Sequence, residues 1–73
     1  MYKVKVNLVT QEDIKEFVNI ADNIDGRVSL VDNEGHCVNA KSILGCLYSV
    51  EFSETFVISD NEKITTSFYR FQI

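Results

Sequence analysis

Val38-Asn39-Ala40-Lys41-Ser42-Ile43-Leu44-Gly45 runs from the end of a short apolar strand, through a Lys-Ser step, into an apolar helical turn. Ser42 stands where a helix N-cap belongs, because a side-chain oxygen there satisfies one of the first unpaired helix N–H groups. Ile43, Leu44, Cys46 and Leu47 then give a short helix ending near Tyr48 or Ser49. A helix N-terminus also attracts anions, so the Ser42 hydroxyl is placed to carry a phosphate as well as to cap. An ordinary serine cap explains the local sequence by itself. Any functional reading depends on the flanking residues.

On the N-terminal side, Tyr2, Val4, Val6 and Leu8 alternate with Lys3, Lys5 and Asn7, which predicts a half-buried strand over residues 2–9. Thr10-Gln11-Glu12-Asp13 resembles a capping box, with Asp13 in place of the usual Glu or Gln. Ile14, Phe17, Val18, Ala21 and Ile24 follow at helical spacing, and Asp25-Gly26 supplies the stop. Residues 27–31 and 36–39 predict two strands joined by the turn Asp32-Asn33-Glu34-Gly35. His36 is the single histidine. Its place beside the turn predicts an exposed polar residue with no carboxylate partner implied by spacing.

On the C-terminal side, residues 53–59 predict a last strand, with Thr55, Val57 and Ser59 on one face and Phe56 and Ile58 on the other. Asp60 or Asn61 then caps a final helix to about Phe71, whose Ile64, Phe68 and Phe71 face the core. Thr65, Thr66 and the aromatics are poor helix formers and weaken it. The order strand, helix, strand, strand, short helix, strand, helix predicts one α+β domain over residues 1–73. It is a two-layer sandwich, with a four-stranded antiparallel sheet carrying its helices on one face. A split βαβ arrangement of the ferredoxin-like kind is the alternative, disfavoured by the brevity of the middle helix.

Seventy-three residues bound the core to that of a small domain. The hydrophobic fraction of 45% with 25% charged residues is that of a globular chain. A net charge of −4 argues against nucleic-acid binding, which leaves a basic footprint. No apolar run reaches membrane-span length, and the alternation at the start is unlike a signal peptide, so a cytoplasmic location is expected. Cys37 and Cys46 suit that compartment as free thiols, both read as buried and structural. Two cysteines and one histidine fall short of a zinc site on their own, so neither metal nor cofactor is expected.

The element order, with the octet at its centre, resembles the HPr family of phosphocarriers of the sugar phosphotransferase system. The resemblance covers nearly the whole chain, but only the octet is specific. It implies an HPr-like open-faced sandwich and places Ser42 on the family's regulatory serine, the target of a dedicated kinase. It also implies that Lys41, Ile43, Leu44 and Leu47 belong to the partner-docking face. The family's second motif, a histidine followed by Ala-Arg-Pro-Ala, falls at or near Thr10, where the sequence reads Val9-Thr10-Gln11-Glu12-Asp13. The phosphoryl-accepting histidine is therefore missing, its arginine neighbour falls at Glu12, and the proline at Asp13. A phosphoryl acceptor needs a nucleophilic imidazole and nearby positive charge or N–H donors. Thr10 lacks an adjacent base, and Glu12 and Asp13 would repel the transferred group. Enzymatic phosphotransfer by the family's mechanism is not expected.

Three functional expectations follow. The first is a regulatory protein that binds protein partners, such as the serine kinase of the HPr system or a transcription regulator, and is phosphorylated on Ser42. The second is a phosphocarrier using a non-standard acceptor, His36. The third is a plain interaction module, in which Ser42 is only a cap.

Overall fold

In the computed structural model, which describes residues 1–49, 52 and 54–72, strand β1 spans Tyr2–Val6. Val4 and Val6 turn toward the core while Lys3 and Lys5 stay exposed, as the alternation predicts. The strand stops three residues before Val9. The Asn7 N–H bonds to the Phe71 carbonyl at 2.8 Å, and the Val9 N–H is taken by the Asp13 carboxylate at 3.1 Å. Both contacts draw the chain out of the ladder and into the cap of the first helix.

Helix α1 spans Gln11–Asp22 and is closed by a full capping box. Thr10 Oγ1 accepts from the Asp13 N–H at 3.1 Å, and the Asp13 carboxylate accepts from the Thr10 N–H at 3.2 Å. Its apolar stripe buries Ile14, Phe17, Val18 and Ala21. Burying each of the three larger side chains, Ile14, Phe17 and Val18, stabilises by about 1.5–3 kcal/mol. Gly26, at φ +89°, makes the turn after the helix in a conformation that other residues reach only with strain.

Strands β2 (Val28–Val31) and β3 (Cys37–Asn39) form the expected hairpin, in register Ser29 to Asn39 and Val31 to Cys37. Helix α2 spans Ile43–Tyr48 and strand β4 spans Thr55–Ser59. Ser53, the predicted start of β4, lies outside the described residues. Val57 of β4 is buried and pairs with Val4 on one side and Leu30 on the other.

The sheet order is β1-β4-β2-β3, every neighbouring pair antiparallel. With three α-helices among the described residues, this is an α+β, open-faced sandwich. The order also means that β1 and β2 run parallel with β4 between them, and β3 and β4 run parallel with β2 between them. Each of the connections through α1 and α2 is thus a split βαβ unit, the feature expected only of the alternative fold. A six-residue helix is long enough for such a crossover.

The predicted final helix is replaced by two shorter pieces, α3 (Ile64–Ser67) and a 3₁₀ turn (Tyr69–Phe71). Phe68 leaves the helical region at φ −102°, ψ 19° between them. Its ring stacks on Phe17 at 4.5 Å, and Phe71 meets Phe17 edge-on at 6.0 Å. Aromatic packing in the core outweighs the weak helix propensity of this segment. The predicted facing holds, because Ile64, Phe68 and Phe71 are all buried.

Candidate functional site

Ser42 caps α2 through a turn that β3 sets up. The Asn39 carbonyl accepts from the Ser42 N–H at 3.1 Å, and the Asn39 side chain accepts from the Lys41 N–H at 2.9 Å. Ser42 Oγ then accepts from the Gly45 N–H at 3.2 Å. The glycine fits because α2 lies hard against β3: a Cβ at Gly45 would stand 3.3 Å from both the Asn39 carbonyl oxygen and the Val38 Cβ. Ser42 is half-buried, and among the described residues the one hydrogen bond of its hydroxyl is the cap.

The octet and its helix present an apolar surface around this serine. Leu44 is 81% exposed, Tyr48 57% and Ile43 49%. Leu47, expected on the same face, is instead partly buried and packs against the core. Tyr48 was legible only as a helix end, yet it adds the aromatic member of the exposed set. Lys41 points away from Ser42, its Nζ donating to the Ile24 carbonyl at 2.6 Å. A groove of about 400 Å³ runs between α1 and the start of α2, lined by Lys15, Glu16, Val18, Asn19, Asp22, Lys41 and Ile43.

Thr10 and Asp13 form the α1 cap, and Glu12 stands in the first turn, paired with Lys15 at 3.7 Å. The N–H groups of Val9 and Thr10 hold the Asp13 carboxyl below the usual carboxylate range, aided by the charge of Arg70. Arg70 lies 3.8 Å from Asp13 and also pairs with Glu16, tying the C-terminal turn to α1.

At the opposite side of the sheet's hairpin, His36 has the carboxylate partner that its spacing did not disclose. Its Nδ1 lies 2.7 Å from Asp32 Oδ2, and its ring stacks on Phe52 at 5.7 Å. The Asp32 side chain is 1% exposed and the His36 side chain 49%. Asp32 Oδ1 accepts from the N–H groups of Glu34 and His36, both at 2.9 Å. Burial pushes the Asp32 carboxyl up, but these hydrogen bonds outweigh it and leave the group below its ordinary value. The readable signal was Asp-x-x-Gly-His: Gly35, at φ +92°, folds the chain back so that residues four apart face one another.

The cysteines divide. Cys46 is buried, with Sγ 3.3 Å from the Ala40 carbonyl, and burial pushes its thiol up to about 11. Cys37 is exposed, against the expectation of two buried thiols, because odd-numbered β3 positions point to the uncovered face of the sheet. No helix among the described residues is long and apolar enough to cross a membrane.

Compared with protein-family models, with curated proteins and with solved structures, the chain matches none. The resemblance to the HPr family accordingly rests on the octet and the order of elements.

Proposed function

We propose that this chain is an HPr-like regulatory protein that binds protein partners through α2 and its groove with α1, and is switched by phosphorylation of Ser42. The observation that carries the reading is the position of a half-buried serine hydroxyl at the N-cap of a helix whose Ile43, Leu44 and Tyr48 are exposed. Apolar side chains gathered beside a modifiable group give a partner both contact area and a charge to read. A phosphate here adds about −1.5 to −2 charge and three acceptor oxygens, suited to an arginine-bearing partner surface. It also stays compatible with the cap, since its oxygens accept from the same helix N–H groups. Incubation with ATP and the serine kinase of the HPr system, followed by intact mass, tests the reading. Absence of phosphate on Ser42 removes it.

The Asp32–His36 pair favours a second reading, a phosphocarrier whose acceptor is His36 Nε2. The carboxylate orients the imidazole and steadies the positive charge that forms when Nε2 bonds to phosphorus and the donor's own bond to phosphorus breaks. Glu34 in the same turn opposes it by repelling the incoming phosphoryl group. Labelled phosphoenolpyruvate with enzyme I decides the matter. An acid-labile label lost in His36→Ala supports this reading, and an unlabelled chain rejects it.

A further inference from the structure

We propose that the β2–β3 turn binds a late first-row divalent cation, with His36 Nε2 and the Glu34 carboxylate as its protein ligands and Asp32 as the group that orients the imidazole. One ligand atom from each of Asp32, Glu34 and His36 lies within 4.8 Å of the other two. The buried carboxylate of Asp32 is already filled, by two backbone N–H groups on Oδ1 and by Nδ1 of His36 at 2.7 Å on Oδ2. An ion seated between Nδ1 and Oδ2 would have to spread them to about 3.3 Å, given metal–ligand distances near 2.0 Å. The outward nitrogen needs no such movement.

A carboxylate that accepts at Nδ1 places the ring proton there and leaves the Nε2 lone pair free. That is the arrangement in which histidine most often ligates a metal, its other nitrogen donating to a carboxylate. Stacking on Phe52 fixes the ring plane, and the ring is half exposed, so an ion reaches Nε2 from solvent. Glu34 is exposed, and one of its carboxylate oxygens lies within 4.8 Å of a ring nitrogen of His36, which puts it in reach of an ion held by the imidazole. Imidazole with carboxylate suits zinc, copper or nickel, whereas magnesium and calcium take oxygen ligands. Water completes the coordination. The site is independent of Ser42. An ion on Nε2 also occupies the lone pair that a phosphoryl group would need, so ion and phosphate exclude one another there.

The test is a zinc chloride titration followed by ¹H–¹⁵N NMR of the histidine ring, on the wild-type chain and on Cys37→Ser, which removes the exposed thiol as a competing ligand. Saturable movement of the Nε2 resonance is expected in both. His36→Ala abolishes it, Glu34→Gln weakens the affinity, and Asp32→Asn weakens it 10–100-fold, as loss of an orienting partner does. Magnesium chloride produces no such movement. The proposal is overturned if the ring does not respond to zinc, if Nδ1 rather than Nε2 carries the ion, or if Glu34→Gln binds as tightly as wild type. Glu34 is exposed, so that last comparison stands even where Asp32→Asn fails to fold.

Discussion

Nδ1 of His36 and Oδ2 of Asp32 stand 2.7 Å apart across the β2–β3 turn, the carboxylate buried and the imidazole open to solvent on its far side. The contact joins the loop's backbone to its one titratable ring, because the other oxygen of Asp32 holds the N–H groups of Glu34 and His36. Replacing Asp32 with Asn puts an NH₂ donor opposite Nδ1 when the remaining oxygen keeps the backbone donors. The neutral ring must then accept at Nδ1, so its proton moves to Nε2. Ring ¹⁵N shifts above the titration range should show the Nδ1–H tautomer in wild type and the Nε2–H tautomer in Asp32→Asn. A wild-type ring already protonated on Nε2 would exclude the hydrogen bond as described.

Loss of the Ser42 side chain leaves the Gly45 N–H without its capping partner. Ser42→Ala should therefore destabilise the chain by about 0.5–2 kcal/mol, and Ser42→Asp should retain most of the cap. Urea unfolding of the three proteins checks this ordering. An alanine variant as stable as wild type would mean that the 3.2 Å bond to Gly45 contributes nothing.

Acid should weaken the start of α1. Because the Asp13 carboxyl is held below its ordinary value, it favours the folded state above the unfolded carboxylate range near pH 4. That contribution is lost as pH falls through the lower, folded value. Stability measured from pH 6 down to pH 2 should decline less steeply for Asp13→Asn than for wild type. Identical slopes would remove Asp13 from the acid response.

Two apolar residues close in sequence type should differ sharply in cost. Phe17→Ala removes a fully buried ring that touches Phe68 and Phe71, and should cost about 3–5 kcal/mol, close to the whole stability of a small domain. Leu44→Ala alters an exposed residue and should stay within about 0.5 kcal/mol. Thermal or denaturant melts separate the two. A large loss for Leu44→Ala would place that side chain in the core rather than on a docking surface.

Much of the fold was legible because local signals and packing agree. Thr10 and Asp13 announce the start of α1, and the alternation over residues 55–59 separates the two faces of β4 without saying which of them is buried. The strand order was not legible, since nothing in β4 itself says that it inserts between β1 and β2. The final segment misled because Ile64, Phe68 and Phe71 keep helical spacing even though the backbone breaks at Phe68 to stack its ring on Phe17. At the candidate site, the Ser42 cap was plain from Lys41-Ser42-Ile43. The orientations of Lys41 toward Ile24 and of Leu47 toward the core depend on how α2 docks, which the octet does not encode. The Asp32 partner of His36 was hidden by reading His36 as an exposed polar residue beside the turn, although Gly35 marked the reversal that brings them together.

The most direct measurement is intact-mass and peptide-mapping analysis of wild type and Ser42→Ala after incubation with the serine kinase of the HPr system and ATP. One phosphate on wild type, mapped to Ser42, with none on Ser42→Ala, is the expected result. An unmodified wild-type chain, or equal phosphate on both proteins, would contradict the assignment of Ser42 as the regulatory switch.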